Sequence, residues 1–427
     1  MKLAACFHSI IEVIDQVLTH QNIPADRLLH EYLRKRRFIG SHDRKFITEH
    51  LYSLLRHWPL LTYYHQPSSV TSRLAVMWYL IKHLSYTAKD VKDIFKNENY
   101  CPPPLTCSEI QALEFGVQKN EIPEWAKASV PEWLWERIQK TFGDLAFSQM
   151  KAFNQPASFD IRTNILKTKR ENILNVLADL KIKALETPYS PWGIRIHQKY
   201  NLQNHNLWLK GLIETQDESS QLASLLVEAL PGMRILDFCA GAGGKSLAIA
   251  AMMQNKGVLV ATDIHEWRLK RARERLKRAD VTNTECRLIN EKWLKRQEQS
   301  FDRVLVDAPC SGTGTWRRNP DLKIRFNPEN LKELLLKQRS ILDQASKLIK
   351  TGGRLIYATC SILKEENNDQ IENFLKNHPH FSLISIKKVW ENFIDSPYPG
   401  SEPFTLQLTP YQHQTDGFFI GILERKF

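Results

Sequence analysis

Over the first 145 residues, apolar positions recur at intervals of three and four, which is the spacing of one face of an α-helix. Residues 10–18 carry one such face and residues 47–58 carry another. We expect the second helix to stop at Pro59, because proline lacks a backbone N–H and clashes with the preceding turn. Residues 74–84 are apolar on almost every side, which predicts a helix in the centre of a bundle.

The pattern changes after residue 145. Residues 158–165 and 192–196 have the pattern of strands, and apolar positions between residues 173 and 180 form one helix face. From residue 216 onward, strand and helix patterns alternate, which is typical of a doubly wound parallel sheet. The strand candidates are 234–238, 258–263, 284–289, 303–307 and 354–359, followed by a helix near 365–375 and antiparallel strands that include 418–423.

These patterns predict three domains. We expect an all-α domain at 1–145, a small α+β module at 146–215 and a Rossmann-like α/β domain at 216–427.

The composition is that of a folded protein, with 42% hydrophobic and 25% charged residues. The formal net charge of +12 favours a polyanionic partner, most often a nucleic acid, although many basic proteins bind none. The longest apolar run, residues 74–81, is far shorter than the about 18 residues of a membrane-spanning helix. We therefore expect a protein with no membrane segment.

The seven cysteines are few, odd in number and scattered along the chain. They form no CxxC pair and no His/Cys cluster with zinc spacing, so we expect no metal site and a reduced, cytoplasmic location. Two of them follow predicted strands, Cys310 in Asp-Ala-Pro-Cys-Ser-Gly and Cys360 in Ala-Thr-Cys-Ser. Open α/β sheets place their chemistry in such loops, so two thiols on one rim suggest covalent catalysis. The alternative is that each cysteine is a small buried apolar residue.

Residues 234–246, RILDFCAGAGGKS, predict a strand, a glycine-rich turn and a helix, an arrangement that lets a ligand approach the backbone. A phosphate-binding P-loop is excluded, because Cys239 stands where its first glycine is required. The dinucleotide fingerprint matches imperfectly, because its third glycine is Ser246. The spacing from Asp237 to Gly241 is the one that S-adenosylmethionine (SAM) binding folds use. A turn with no ligand is the structural alternative.

Two carboxylates follow later strands of the same pattern. Asp263 ends the second strand, where a ribose diol would lie, although dinucleotide enzymes also carry an acid there. Asp307 ends the fourth strand, at the place where methyltransferases of exocyclic amines commonly have an Asp/Asn-Pro-Pro-aromatic sequence. Here Cys310 replaces the aromatic residue, which points to chemistry at a ring carbon.

The reason is electronic. Carbon 5 of a pyrimidine is a poor nucleophile, but a thiolate that adds to carbon 6 turns the ring into an enamine, whose carbon 5 accepts a methyl group. Asp307 is suited to stabilising a protonated ring nitrogen 3, and Lys245 to holding a thiolate or orienting Asp307. The residues alone do not show which of the two cysteines is the nucleophile, because DNA cytosine methyltransferases use the cysteine of the Pro-Cys motif.

Four segments, LDFCAGAGGKS (236–246), VLVDAPCSGTGTWRRNPDLKIR (304–325), LIYATCS (355–361) and TDGFF (415–419), resemble the Sun/Fmu (RsmB-like) family. Its members are SAM-dependent RNA cytosine-5 methyltransferases. The resemblance is dense over residues 215–427. Residues 150–215 resemble the small RNA-binding module of that family, and residues 1–145 resemble more loosely its NusB-like helical RNA-binding domain.

The resemblance implies roles for individual residues. Cys360 corresponds to the nucleophile and Cys310 to the cysteine that assists product release, with Asp307 and Lys245 completing the catalytic set. Asn290 stands where the family often has an aspartate near the adenine. The implied cofactor contacts are Cys239, Ala240, Gly241, Ala242, Gly243, Gly244, Lys245, Asp263, Asn290 and Asp307.

Three basic segments fit an RNA partner. Residues 34–37 are four consecutive cations, although a solvated helix end explains them equally well. Trp316, Arg317 and Arg318 offer an aromatic ring and two cations for stacking and phosphate contact near the reacting base. Residues 268–278 carry seven Lys/Arg against one Glu, for which a solvated face is at least as good an explanation.

The sequence thus predicts a cytoplasmic, monomeric, SAM-dependent RNA methyltransferase that makes 5-methylcytosine. The resemblance implies small-subunit (16S) rRNA as the substrate, with tRNA as the alternative. A non-catalytic RNA-binding assembly factor is the rival from another class, and the intact set of Cys310, Cys360, Asp307 and Lys245 argues against it. A dinucleotide oxidoreductase is weaker still.

Overall fold

The computed structural model describes residues 1–65, 70–96, 98–115, 121–197, 200, 202 and 204–427. The chain forms two compact units. The helical unit consists of Met1–Pro156 and Thr315–Pro328, and the sheet unit consists of Ala157–Gly314 and Glu329–Phe427. None of the helices in the described ranges is long and apolar enough to cross a membrane. The predicted division into three domains at residues 145 and 215 stays a prediction.

The first segment of the helical unit folds, over its described residues, into ten helices. They are α1 (Leu3–Thr19), α2 (Ala25–Lys35), α3 (Ser41–Arg56), α4 (Trp58–His65), α5 (Ser72–Lys82), α6 (Ala88–Ile94), α7 (Cys107–Phe115), α8 (Glu124–Lys127), α9 (Glu132–Phe142) and α10 (Ala146–Phe153).

Helix α5 lies in the core of this unit, as its all-round apolar pattern predicted, and eight of its eleven residues are buried. The predicted stop at Pro59 is wrong. Helix α3 already ends at Arg56, and Pro59 lies in the first turn of α4. Proline is tolerated there, because the N–H groups of a first turn have no partner within the helix.

The second segment of the helical unit is held by a buried lysine. Nζ of Lys323 donates to the carbonyl oxygens of Arg56 at 2.9 Å and Ser129 at 2.8 Å, and to Oδ1 of Asn154 at 2.5 Å. The Arg56 guanidinium in turn donates to the carbonyl oxygen of Arg317 at 3.0 Å. Residues from three distant parts of the chain therefore meet at this one amine.

This packing overturns the expectation that Trp316 and Arg317 stack on a base and contact phosphate. Trp316 is fully buried, with its ring edge-to-face against Phe153 at 6.5 Å. Arg317 is buried as well and donates to the carbonyl oxygen of Pro156. Both side chains are packed in the interior of the helical unit and are not available to RNA.

The sheet unit begins with a small antiparallel sheet of order β2-β3-β1-β4. Strands β1 and β3 and helix α11 lie where the sequence predicted them, whereas β2 and β4 are too short to give a periodic signal. The elements are β1 (Phe159–Thr163), α11 (Arg170–Asp179), β2 (Ala184–Glu186), β3 (Gly193–Ile196), α12 (Asn206–Leu209) and β4 (Ile213–Thr215).

The rest of the chain builds a large sheet with helices between its strands. In chain order the elements are α13 (Glu218–Leu225), β5 (Arg234–Asp237), α14 (Gly244–Met252), β6 (Val258–Asp263), α15 (Glu266–Arg278), β7 (Thr284–Leu288), α16 (Glu291–Arg296), β8 (Phe301–Asp307), α17 (Leu322–Arg325), α18 (Pro328–Ser346), β9 (Ile349–Thr359), α19 (Asn368–Asn377), β10 (Phe381–Leu383), α20 (Ile386–Phe393), β11 (Thr405–Leu408), α21 (Pro410–His413) and β12 (Phe418–Arg425). Helix α17 belongs to the helical unit.

The strand order of the large sheet is β10-β12-β9-β8-β5-β6-β7, and β11 also pairs with β12. Strands β5 to β9 are parallel, and β10 and β11 pair antiparallel with β12, which pairs antiparallel with β9. The predicted Rossmann-like fold with antiparallel strands at its end is confirmed. The chain winds outward from β5 in both directions, and ligands of such sheets bind at the carboxyl ends of the strands beside this switch point.

Lys323→Met should lower the free energy of unfolding by about 2–4 kcal/mol, because three buried acceptors lose their donor. Urea unfolding measures the loss. Lys140→Met is the control, since that side chain is exposed and its loss should change the free energy by less than about 0.5 kcal/mol. Equal stabilities of the two variants would show that the Lys323 contacts contribute nothing.

Candidate active site

The glycine-rich turn joins β5 to α14. Gly241 and Gly243 have φ of +55° and +78°, a backbone conformation that side chains disfavour. A Cβ at Gly243 would lie 3.0 Å from the Cβ of Ala272, so this glycine also allows α15 to approach the turn. The N–H of Gly241 donates to Oδ2 of Asp263 at 3.1 Å. The turn and the end of β6 are thereby tied together.

Asp237 lies beneath the turn and is almost completely buried. Its Oδ2 accepts a hydrogen bond from Ser246 Oγ at 2.6 Å, but its Oδ1 has no partner among the described residues. Burial raises the pKa of Asp237 to about 7. A buried acceptor without a partner is costly, so this position suits a ligand that brings a donor.

The two thiols meet at the ends of adjacent strands. Strands β8 and β9 pair in parallel with Asp307 opposite Ala358, so the loops that follow them leave the sheet side by side. The Sγ atoms of Cys310 and Cys360 lie 3.3 Å apart. The hydrogen bond to Cys360 and burial raise the pKa of Cys310 well above its ordinary value. The raised pKa means that Cys310 keeps its proton.

Lys245, in the first turn of α14, faces the same place. Its Nζ donates to Oδ2 of Asp307 at 2.6 Å. Burial lowers the pKa of Lys245, but attraction to Asp307, to Asp237 and to Cys360 outweighs burial and raises the pKa above its ordinary value. The amine is thus an ammonium that is bound to the Asp307 carboxylate and also interacts with Cys360.

A buried glutamate binds the residue that follows each cysteine. Glu366 is completely buried and accepts hydrogen bonds from the Ser311 N–H at 2.8 Å, from Ser311 Oγ at 2.5 Å and from Ser361 Oγ. Gln338 of α18 donates to the same carboxylate at 2.9 Å. One side chain therefore sets the position of both cysteine loops. We name these four residues the Glu366 cluster.

A third segment closes on the same loops through backbone contacts. The N–H of Gly314 donates to the carbonyl oxygen of Cys360 at 3.0 Å, and the N–H of Gly417 donates to that of Gly314 at 2.8 Å. A Cβ at Gly314 would lie 2.0 Å from the Gly417 carbonyl oxygen. Only glycine fits at position 314.

The other residues of the predicted site lie around the turn. Burial raises the pKa of Cys239, which keeps this third thiol neutral, and the N–H of Ala240 donates to the Thr262 carbonyl oxygen at 2.8 Å. Asn290 caps α16, where its Oδ1 accepts from the Trp293 N–H at 2.9 Å. Its role at an adenine stays a prediction.

Sequence reasoning missed Glu366 and Gln338. Glu366 is six residues beyond Cys360, in a segment that has the composition of a solvated helix start. Nothing in a single sequence distinguishes this glutamate from its neighbour Glu365. A glutamate shortly after a strand-terminal cysteine motif was the one available signal.

Comparisons with known proteins identify the relatives of this chain. Residues 224–424 match the family model described as 16S rRNA methyltransferase RsmB/F, and residues 130–203 match the RsmF/B-like ferredoxin-like domain. The chain is 33% identical over 316 residues to the probable ribosomal RNA small subunit methyltransferase B of Synechocystis, which covers 72% of this chain and 70% of the relative. The Bacillus subtilis protein of the same description is 31% identical, covering 70% and 67%.

Solved structures are similar as well. The crystal structure of PH0851 has a TM-score of 0.77 at 27% identity and covers 100% of this chain and 99% of its own. A methyltransferase homologue from Pyrococcus horikoshii has a TM-score of 0.61 at 26% identity, covering 71% and 98%.

Glu366→Ala should make both cysteines react several-fold faster with iodoacetamide, because the two loops lose their shared anchor and Cys310 loses one of the negative charges that raise its pKa. Mass spectrometry of each modified peptide over time measures the two rates. Glu372→Ala, at an exposed position of α19, is the control and should leave both rates unchanged. A wild-type rate at Cys310 in Glu366→Ala would contradict the proposed anchoring.

Asp237→Asn should flatten the pH dependence of stability. The folded protein holds the Asp237 proton to about pH 7, whereas the ordinary value is 3.8. Between about pH 4 and 7 the folded state binds more protons, so the free energy of unfolding falls as the pH rises. Asparagine does not titrate, so the variant should lose this part of the slope. Urea unfolding at several pH values checks it, and parallel profiles for the two proteins would refute the shift.

Proposed function

The chain belongs to the RsmB/F family of 16S rRNA methyltransferases, and we propose that it methylates carbon 5 of a cytosine in small-subunit rRNA through a covalent adduct at Cys360. That it is a SAM-dependent RNA methyltransferase follows from the family. The cytosine, the carbon and the cysteine roles are the proposal. The observation that carries it is the contact of two thiols, 3.3 Å apart, beside the glycine-rich turn and the Lys245–Asp307 pair.

The residues around the turn fit SAM. The unpartnered Oδ1 of Asp237 suits the ammonium of its methionine part, and Asp263 suits its ribose hydroxyls. Cys239, Ala240, Gly241, Ala242, Gly243, Gly244 and Asn290 would line the remainder of the cofactor. When bound, SAM supplies an electrophilic methyl group.

Cys360 is the proposed nucleophile. Its thiolate adds to carbon 6 of the cytosine, which forms an S–C bond and moves electron density to carbon 5. The Lys245 ammonium interacts with the Cys360 side chain, which contributes to the raised pKa of that amine. The sulfur atom also lies 3.3 Å from that of Cys310, a thiol whose raised pKa keeps it protonated.

The remaining groups complete the cycle. Asp307, positioned by Lys245, stabilises the proton on ring nitrogen 3 while the adduct exists. After carbon 5 has gained the methyl group, its hydrogen leaves as a proton and the S–C6 bond breaks, which restores the aromatic ring and the Cys360 thiolate. We assign Cys310 to this release step, since it lies against the departing sulfur.

The two cysteines should therefore have opposite phenotypes. Cys360→Ala should abolish methyl transfer and form no adduct, because the attacking sulfur is missing. Cys310→Ala should accumulate a protein–RNA adduct that survives denaturation, because release stalls. Gel electrophoresis with labelled RNA measures the adduct, and transfer of labelled methyl groups measures activity. Cys286→Ala, at a cysteine outside this pair, should behave as wild type. Methylation by Cys360→Ala together with no adduct in Cys310→Ala would overturn the mechanism.

The substrate needs its own experiment. Bisulfite sequencing of cellular RNA, with and without this gene, should reveal the loss of one methylated cytosine in small-subunit rRNA. Loss of a methylated cytosine in tRNA instead would support the proposed reaction and would exclude rRNA as its substrate.

A further inference from the structure

One tryptophan of the sheet unit is exposed. Of the eleven tryptophans in the chain, all in the described part of the structure, only Trp267 has an exposed side chain, with a 56% exposed fraction. It lies in the first turn of α15. Burial of a large apolar side chain stabilises a protein by roughly 1.5–3 kcal/mol. An exposed one is a candidate contact for a partner.

Two arginines and one histidine lie beside the Trp267 ring. The guanidinium carbons of Arg268 and Arg271 lie 5.3 and 5.4 Å from the indole centroid, and the His265 ring is stacked at 6.1 Å. Cation–π attraction favours this arrangement. The result is an exposed indole with two guanidinium groups lying over its ring. Unpaired nucleotides offer the complementary features, since each has an aromatic base and a phosphate.

The other charges of α15 separate into two groups. Arg275 and Arg278 both pair with Glu214, and Arg273 pairs with Glu266, so these three arginines serve contacts within the unit. Lys270, Arg271 and Lys277 have no ion pair within the described ranges. Their exposed charges lie on the helix that carries Trp267, and this excess favours a polyanion over a neutral protein surface.

The surface is at the rim of the candidate active site. Asp263, which binds the N–H of Gly241 in the cofactor turn, is four residues before Trp267 and also lies 3.5 Å from the Arg268 guanidinium. Ile264, between them in sequence, is 68% exposed.

We infer that Trp267, Arg268 and Arg271 form a stacking platform for an unpaired nucleotide of the RNA substrate, separate from the cytosine that reacts. The inference rests on the proposed function, because it takes the partner to be substrate RNA. The base stacks on the indole and its phosphates lie against the two arginines.

Trp267→Ala should weaken binding of a labelled single-stranded RNA oligonucleotide roughly 5- to 100-fold, the range measured for loss of one stacked base. Trp267→Phe, which keeps an aromatic face, should restore affinity to within about threefold. Arg271→Ala should lower the slope of log affinity against log salt by about one. Phe404→Ala is the control, since Phe404 is similarly exposed at 48% elsewhere in the sheet unit. It should bind RNA as the wild type does.

Calorimetry with SAM alone is the second readout, and SAM affinity should be unchanged in Trp267→Ala. Unchanged RNA affinity would overturn the platform, and so would a loss of SAM affinity with RNA affinity retained, which would assign Trp267 to the cofactor site. If the wild type transfers no methyl group to RNA while Trp267→Ala still weakens RNA binding, the proposed reaction is wrong and the platform stands.

Discussion

The buried carboxylate of Glu366 is the constraint on which the candidate active site depends. Transfer of a carboxylate from water to an apolar interior is expensive, and hydrogen-bond donors must offset it. Here the donors are Ser311, Ser361 and Gln338, which come from the two cysteine loops and from α18. Because the buried carboxylate needs donors from both loops, its hydrogen bonds fix the distance between two loops that are fifty residues apart in the sequence. The 3.3 Å contact of the thiols depends on that distance.

Three aspartates of the same site have different hydrogen-bond and ion-pair partners. Asp237, Asp263 and Asp307 end β5, β6 and β8. Asp307 forms an ion pair with Lys245, and Asp263 accepts a hydrogen bond from the Gly241 N–H. Asp237 is buried, accepts a hydrogen bond from Ser246, and has its pKa raised by burial. Different neighbours therefore give the carboxylates different tasks, although the parallel sheet delivers all of them to one edge.

Much of the sheet unit could be predicted from sequence, because its buried parallel strands are continuous apolar runs that end in polar motifs. Strand β6 has the predicted bounds, Val258–Asp263. Local pattern failed where tertiary contacts decide. Trp316 and Arg317 have the composition of an RNA contact, but they are buried against residues about 160 positions away. Glu366 resembles a solvated acid until its partners, up to fifty-five residues away, are known.

Electrostatics separate the two cysteines on grounds that are independent of any family resemblance. Cys310 shares its surroundings with the Glu366 carboxylate, whose charge adds to the hydrogen bond and burial that raise the pKa of this thiol. Cys360 instead interacts with the Lys245 ammonium and contributes to the raised pKa of that amine. A nucleophile must lose its proton, whereas a thiol that keeps its proton can donate a hydrogen bond to a departing thiolate. Each cysteine thus lies beside the charge that suits its proposed task. This argument supports Cys360 as the attacking residue, an order that two motifs in a sequence leave open.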